Sequence, residues 1–133
     1  MLRIKGDIQV FISNGFLCSM DYKKPFSVKE NGSILEIGSV KEFSDNKELK
    51  IEISNNLISI LMSENSRLDI FDSVELEEII LSDKSILNIN STLKGNIKIT
   101  TYNESELNLN KIEQSGLKIK AKHKSKINIK ELV

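Results

Sequence analysis

Apolar and polar residues alternate along most of this chain with a period of two, which predicts half-buried strands and no long helix. Ile8-Gln9-Val10-Phe11-Ile12 alternates into a first strand, Asn14-Gly15 offers a tight hairpin turn, and Phe16 to Met20 reads as the returning partner. Asn31-Gly32 is a second turn signal. Ile34 to Ile37 and Glu48 to Ile53 follow as further strands, separated by the polar stretch Lys41 to Lys47.

From Leu57 the alternation becomes a repeat. Serines 66, 85, 105 and 125 are each followed by an apolar pair that shares one strand face: Leu68 and Ile70, Leu87 and Ile89, Leu107 and Leu109, Ile127 and Ile129. Residues 57–70 overlay residues 76–89 at a constant offset, and two looser copies follow, so coils are expected to begin near 57, 76, 96 and 116. A fixed period of about twenty residues is the mark of a solenoid, one coil per repeat, with parallel strands of successive coils about 4.8 Å apart. Val74 to Leu81 contains Glu75, Glu77 and Glu78 and competes as a helix, but the repeat places two short strands and two corners in each coil.

The expected fold is therefore all-β: a parallel β-helix (β-solenoid) of about four coils, right-handed as parallel crossovers are, preceded by an irregular N-terminal β segment. The chain reads as a single domain, 1–133, with the N-terminal β segment over 1–56 and the coils over 57–133. Within each L-x-I strand the two apolar side chains face the core and the middle residue faces out. Stacking would align Asp69, Asn88, Asn108 and Asn128, and the three asparagines could hydrogen-bond along the axis. The corner serines are expected to bond nearby backbone.

Composition narrows the function classes. The chain has 19 basic and 19 acidic residues, so no global field points to nucleic acid or to an anionic membrane. The single cysteine, Cys18, excludes an internal disulfide, a CxxC pair and cysteine-rich zinc spacing, and within Phe16-Leu17-Cys18 it reads as a buried inert thiol. No stretch is long and apolar enough for a signal-peptide core or a membrane span, so no direct membrane insertion is expected. With Met1 as the natural start the compartment would be the cytoplasm; with an export signal removed it would be the cell envelope or surface.

Charge is uneven along the chain. Residues 63–83 carry seven acids against Arg67, whereas residues 115–133 carry six lysines against Glu131. A solenoid turns that asymmetry into an axial gradient, and the basic end would suit an acidic partner or the acidic band of another copy.

No catalytic constellation emerges. His123, the only histidine, lies in Lys122-His123-Lys124 and reads as a solvated corner residue. No serine sits in a strand-turn-helix context such as G-x-S-x-G. The acidic cluster Asp69, Asp72, Glu75, Glu77, Glu78 and Asp83 is the one place where the carboxylates of a carbohydrate-active β-helix could reside, and a solvated face accounts for it as well. Calcium loops, phosphate loops and hexapeptide repeats are absent, and neither a cofactor nor a metal site is expected.

The order Asp7–Ile12, Gly32-Ser33-Ile34-Leu35-Glu36-Ile37, Leu49-Lys50-Ile51-Glu52-Ile53, then Leu57-Ile58-Ser59-Ile60 leading into serine-cornered repeats resembles the auto-transporter adhesin head (GIN) domain family over most of the chain. The resemblance implies a single-chain parallel β-helix with a surface or structural role and no catalytic residues to carry over. Where such domains carry Ser-Gly runs at their corners, this chain has Ser63-Glu64-Asn65-Ser66, Ser82-Asp83-Lys84-Ser85, Asn103-Glu104-Ser105 and His123-Lys124-Ser125.

The last coil, Ile127 to Val133, shows no amphipathic helix or polar repeat to close the column, and solenoids normally need such caps. Self-association is therefore expected through Ile127, Ile129, Leu132 and Val133. The function expected is a non-catalytic structural or interaction module of adhesin-head type, its partner a protein and in the first instance another copy. An end-to-end polymerising scaffold resembling bactofilins is the alternative, and a β-helix that binds or cleaves a glycan is the third.

Overall fold

The computed structural model describes residues 1–19, 26–31, 34–39, 50–52 and 59–133. Thirteen strands make one continuous sheet, and no helix occurs among the described residues. The expected turn at Gly32, the polar stretch 41–47 and the opening Leu57-Ile58 lie outside the described residues.

The architecture is a β-solenoid of about four turns. On its first side β1 (Leu2–Lys5), β7 (Ser59–Ser63), β10 (Glu78–Leu81) and the C-terminal halves of β11 (Ile86–Thr101) and β12 (Glu106–Ala121) stack in parallel. On its second side β2 (Gln9–Ser13), β8 (Arg67–Ile70), the N-terminal halves of β11 and β12, and β13 (Lys126–Leu132) do the same. A short third side, absent from the two-strand coil expected from the repeat, is opened by β9 (Val74–Glu75). There Val74, Leu93, Ile112 and Leu132 lie in register. The helical reading of Val74 to Leu81 gives way to β9 and β10, where Val74 stands in register with Leu93 and Ile79 with Ile99 of the next coil.

The stack begins earlier than the repeat. Leu2 and Ile4 lie in register with Ile60 and Met62, and Val10 and Ile12 with Leu68 and Ile70, so residues 2–12 form the layer beneath the repeating coils. The chain then leaves the stack and covers that end. After the Asn14-Gly15 hairpin, β3 (Phe16–Ser19) returns antiparallel on β2, and β6 (Lys50–Glu52) lies antiparallel on β3. On the other side β5 (Ile34–Ser39) adds parallel to β1, and β4 (Phe26–Asn31) turns antiparallel upon it. Asn14 at φ 53° and Gly15 at φ 80° supply the two positive φ values that a two-residue hairpin of this twist requires.

Register makes the core. Leu2, Ile60, Ile79 and Ile99 form one column, and Val10, Leu68, Leu87 and Leu107 another; all are essentially inaccessible to water. Burial of each such side chain is worth about 1.5–3 kcal/mol. Cys18 is a free, buried thiol as its neighbours suggested.

The register between β11 and β12 shifts twice, between Ile89 and Thr92 and again between Gly95 and Asn96, where Ser115 is the extra residue on β12. Gly95 is there because φ is +120° and a Cβ would stand 2.8 Å from the Leu76 carbonyl oxygen.

Candidate functional site

The corners between the first and second sides are built alike. Glu64-Asn65, Asp83-Lys84, Asn103-Glu104 and His123-Lys124 are consecutive left-handed residues, every φ lying between 51° and 63°. Non-glycine residues thus hold a left-handed backbone at these corners, at a cost of roughly 1–2 kcal/mol per L-residue. In the first three corners the second N–H ties to the coil above: Asn65 donates to the Asp83 carbonyl, Lys84 to Asn103 and Glu104 to His123.

The serine that follows each corner points inward. Ser66, Ser85 and Ser105 are buried, and their Oγ–H groups donate to the carbonyls of Ile4, Met62 and Leu81 in the coil below. Ser125 does the same to Thr101. A buried hydroxyl needs a partner, and the repeat supplies an identical one at every level.

The acidic cluster does not assemble. Asp69 accepts from Asn88 Nδ2 at 2.7 Å and from Arg67 Nε at 3.2 Å; Asp72 accepts the backbone N–H groups of Asn14 and Gly15 at 2.8 and 2.9 Å, clamping the hairpin. Asp83 accepts from Asn103 Nδ2 at the corner, while Glu75 and Glu78 project from the third and first sides. No metal-holding group of histidine, cysteine, aspartate and glutamate side chains occurs among the described residues. His123 is exposed on its corner, beside a shallow groove of about 670 Å³ lined by residues of both charge signs.

The two ends of the solenoid differ. At the N-terminal end Leu2 and Ile4 are buried, and so are Leu17 and Ile37 of the added strands β3 and β5. At the C-terminal end Ile119, directly above Ile99, is 45% exposed, and Leu132 and Val133 are 57% and 62% exposed. Ile127 and Ile129 are only partly buried against the core, as is Leu117. The four residues expected to self-associate therefore do gather on one end face. Ile119 and Leu117 belong there too, residues of the repeat that lie on β12 rather than on the final strand.

Polar groups accompany this apolar face. Within the stack, Thr101 O accepts from Lys122 N, Ser105 O from Lys126 N, and Glu104 N donates to His123 O. The equivalent groups one coil later, Ala121 O, Ser125 O and Lys124 N–H, have no partner among the described residues. Lys118, Lys120, Lys124, Lys126 and Lys130 surround them, all exposed. No family model, no curated protein and no solved structure matches this chain.

Proposed function

We propose that this chain is a non-catalytic interaction module of adhesin-head type whose working surface is the C-terminal end of its solenoid, where another protein chain, a second copy among them, adds a further layer of β-structure. The observation that carries the reading is the contrast between ends. Toward one end the columns pass from buried Leu2 and Ile4 to Leu35 and buried Ile37 of β5, and at the other they finish in exposed Ile119 with Ile127 and Ile129 half-covered. An unpaired strand edge beside exposed apolar side chains is a template for strand addition.

The non-catalytic part rests on the engagement of the acids. Asp69, Asp72 and Asp83 are held by amides and face three different parts of the coil, so this cluster places no two of them across one cleft. Scaffold-like polymerisation needs two stackable ends, and the N-terminal end carries reversed strands, β4 over β5. The test is the mass in solution from low to high concentration, alone and with Ile119→Lys or Ile129→Lys. Association that either substitution abolishes supports the reading; association that survives both, through a surface elsewhere, rejects it.

A further inference from the structure

The asparagine column has a direction. Asn88 Nδ2 donates to Asp69 Oδ1, Asn108 Nδ2 to Asn88 Oδ1, and Asn128 Nδ2 to Asn108 Oδ1, at 2.7, 2.8 and 2.8 Å. A carboxylate only accepts, so Asp69 forces Asn88 to present its NH₂ downward and its oxygen upward, and each amide above copies that setting. Asn128 Oδ1 consequently faces the open end as an acceptor with no donor among the described residues.

Charge gives the second half. Inside the stack lysines pair with acids of neighbouring coils, Lys84 with Glu104 and Lys94 with Glu113, whereas Lys126 of the last coil stands in register over Glu106 without forming an ion pair. The exposed lysines of the last coil, Lys118, Lys120, Lys124, Lys126 and Lys130, have no ion pair among the described residues. A layer placed above them meets net positive charge, and two C-terminal ends brought together would set lysine against lysine.

Resting on the reading of this end as a docking surface, we propose that its occupant is an acidic, extended strand of another protein, laid parallel on β13 with an asparagine or glutamine directly over Asn128. The required order is acid, apolar, amide, apolar, acid. Apolar residues cover Ile127 and Ile129, the amide donates to Asn128 Oδ1, and the acids meet Lys126 and Lys130. The first four positions are those β13 already has beneath it, since Glu106-Leu107-Asn108-Leu109 pairs with Lys126-Ile127-Asn128-Ile129; the fifth is Asn110 in that strand. Strand addition supplies the main-chain bonds, and the alternate side chains supply specificity.

The probe is a synthetic peptide with the sequence of residues 105–113 and Asn110→Glu, titrated into the ¹⁵N-labelled full chain. Amide shifts and slowed hydrogen exchange confined to Lys126–Leu132 are expected. Replacing the peptide's Asn108 by Leu should weaken binding about tenfold, the loss of one hydrogen bond to a partner left unpaired. The peptide with Glu106→Lys should bind still more weakly. In the chain, Asn128→Asp keeps an acceptor and should retain binding, whereas Asn128→Leu should lose it. Absent shifts at β13, or equal binding of the acidic and lysine peptides, overturns the proposal. Association in light scattering that Ile129→Lys abolishes, together with a peptide that does not bind, rejects the acidic strand while leaving the end as a docking surface; no dependence on Ile129 in either experiment rejects both.

Discussion

Asn88 Nδ2 lies 2.7 Å from Asp69 Oδ1, and this contact fixes the orientation of every amide above it. Asp69 is buried, its carboxylate also taking Arg67 Nε. Asp69→Ala leaves the Asn88 NH₂ without its acceptor and Arg67 without its partner, and should lower stability by about 2 kcal/mol, the range for a charge-assisted bond. Asp69→Asn keeps one acceptor oxygen and should cost about half as much. Urea unfolding with unchanged slope is the measurement; equal losses for the two variants would show that the amide orientation does not matter.

The inward serines allow a separate test, since Ser105 is buried with its hydroxyl donating to Leu81 O at 3.2 Å. That carbonyl also accepts from the Tyr102 N–H, so Ser105→Ala leaves no orphan and should cost only about 1 kcal/mol. Ser105→Val puts two methyl groups where one hydroxyl stood at a buried position and should cost about 1–3 kcal/mol. The order alanine before valine in urea midpoints checks that this column is filled by hydroxyls for space as much as for bonding.

At the corners the backbone, not the side chain, decides. Lys84 holds φ 63° with an exposed side chain, so Lys84→Gly removes the left-handed strain at the expense of unfolded-state entropy. The balance should be a gain of up to about 1 kcal/mol. Gly95→Ala should do the reverse, losing about 1–3 kcal/mol as the new Cβ meets the Leu76 carbonyl. Thermal midpoints of the two variants should move in opposite directions, and a destabilised Lys84→Gly would mean that its pairing with Glu104 outweighs the backbone strain.

Much of this architecture was legible because stacking writes itself into sequence: the L-x-I pairs, the corner serines and the asparagine column all follow from one register repeated. The third side was not, since β9 is two residues long and its inward residues Val74, Leu93 and Ile112 lie where the spacing changes, beside Gly95. Nor was the first layer legible, because Leu2–Ile12 pair with residues more than fifty positions away across an intervening excursion that breaks the period. The acidic cluster misled for a related reason. Residues close in sequence are spread around a coil, so Asp69, Asp72 and Asp83 serve a ladder, a hairpin and a corner. The end face was only partly visible, since Ile119 joins Ile129 and Leu132 by way of the coil's circumference.

Salt distinguishes what settles on the open end. Residues 115–133 carry a net charge of plus five, concentrated in the last coil, and the screening length falls from about 30 Å at 0.01 M to about 3 Å at 1 M ionic strength. If two C-terminal ends meet, lysine opposes lysine, and association should strengthen as salt rises, because screening removes repulsion while apolar burial of Ile119 and Leu132 persists. If an acidic strand is the occupant, the lysines attract it, and binding should weaken over the same range. Sedimentation velocity of the chain alone and of the chain with the acidic peptide should therefore give slopes of opposite sign against salt. Lys126→Glu reverses charge beside β13 without touching the inward-facing column, and it should favour pairing of two ends at low salt while reducing capture of the acidic strand. Slopes of the same sign, unmoved by Lys126→Glu, would place the lysines outside the interface and leave apolar contact as the sole attraction of this end.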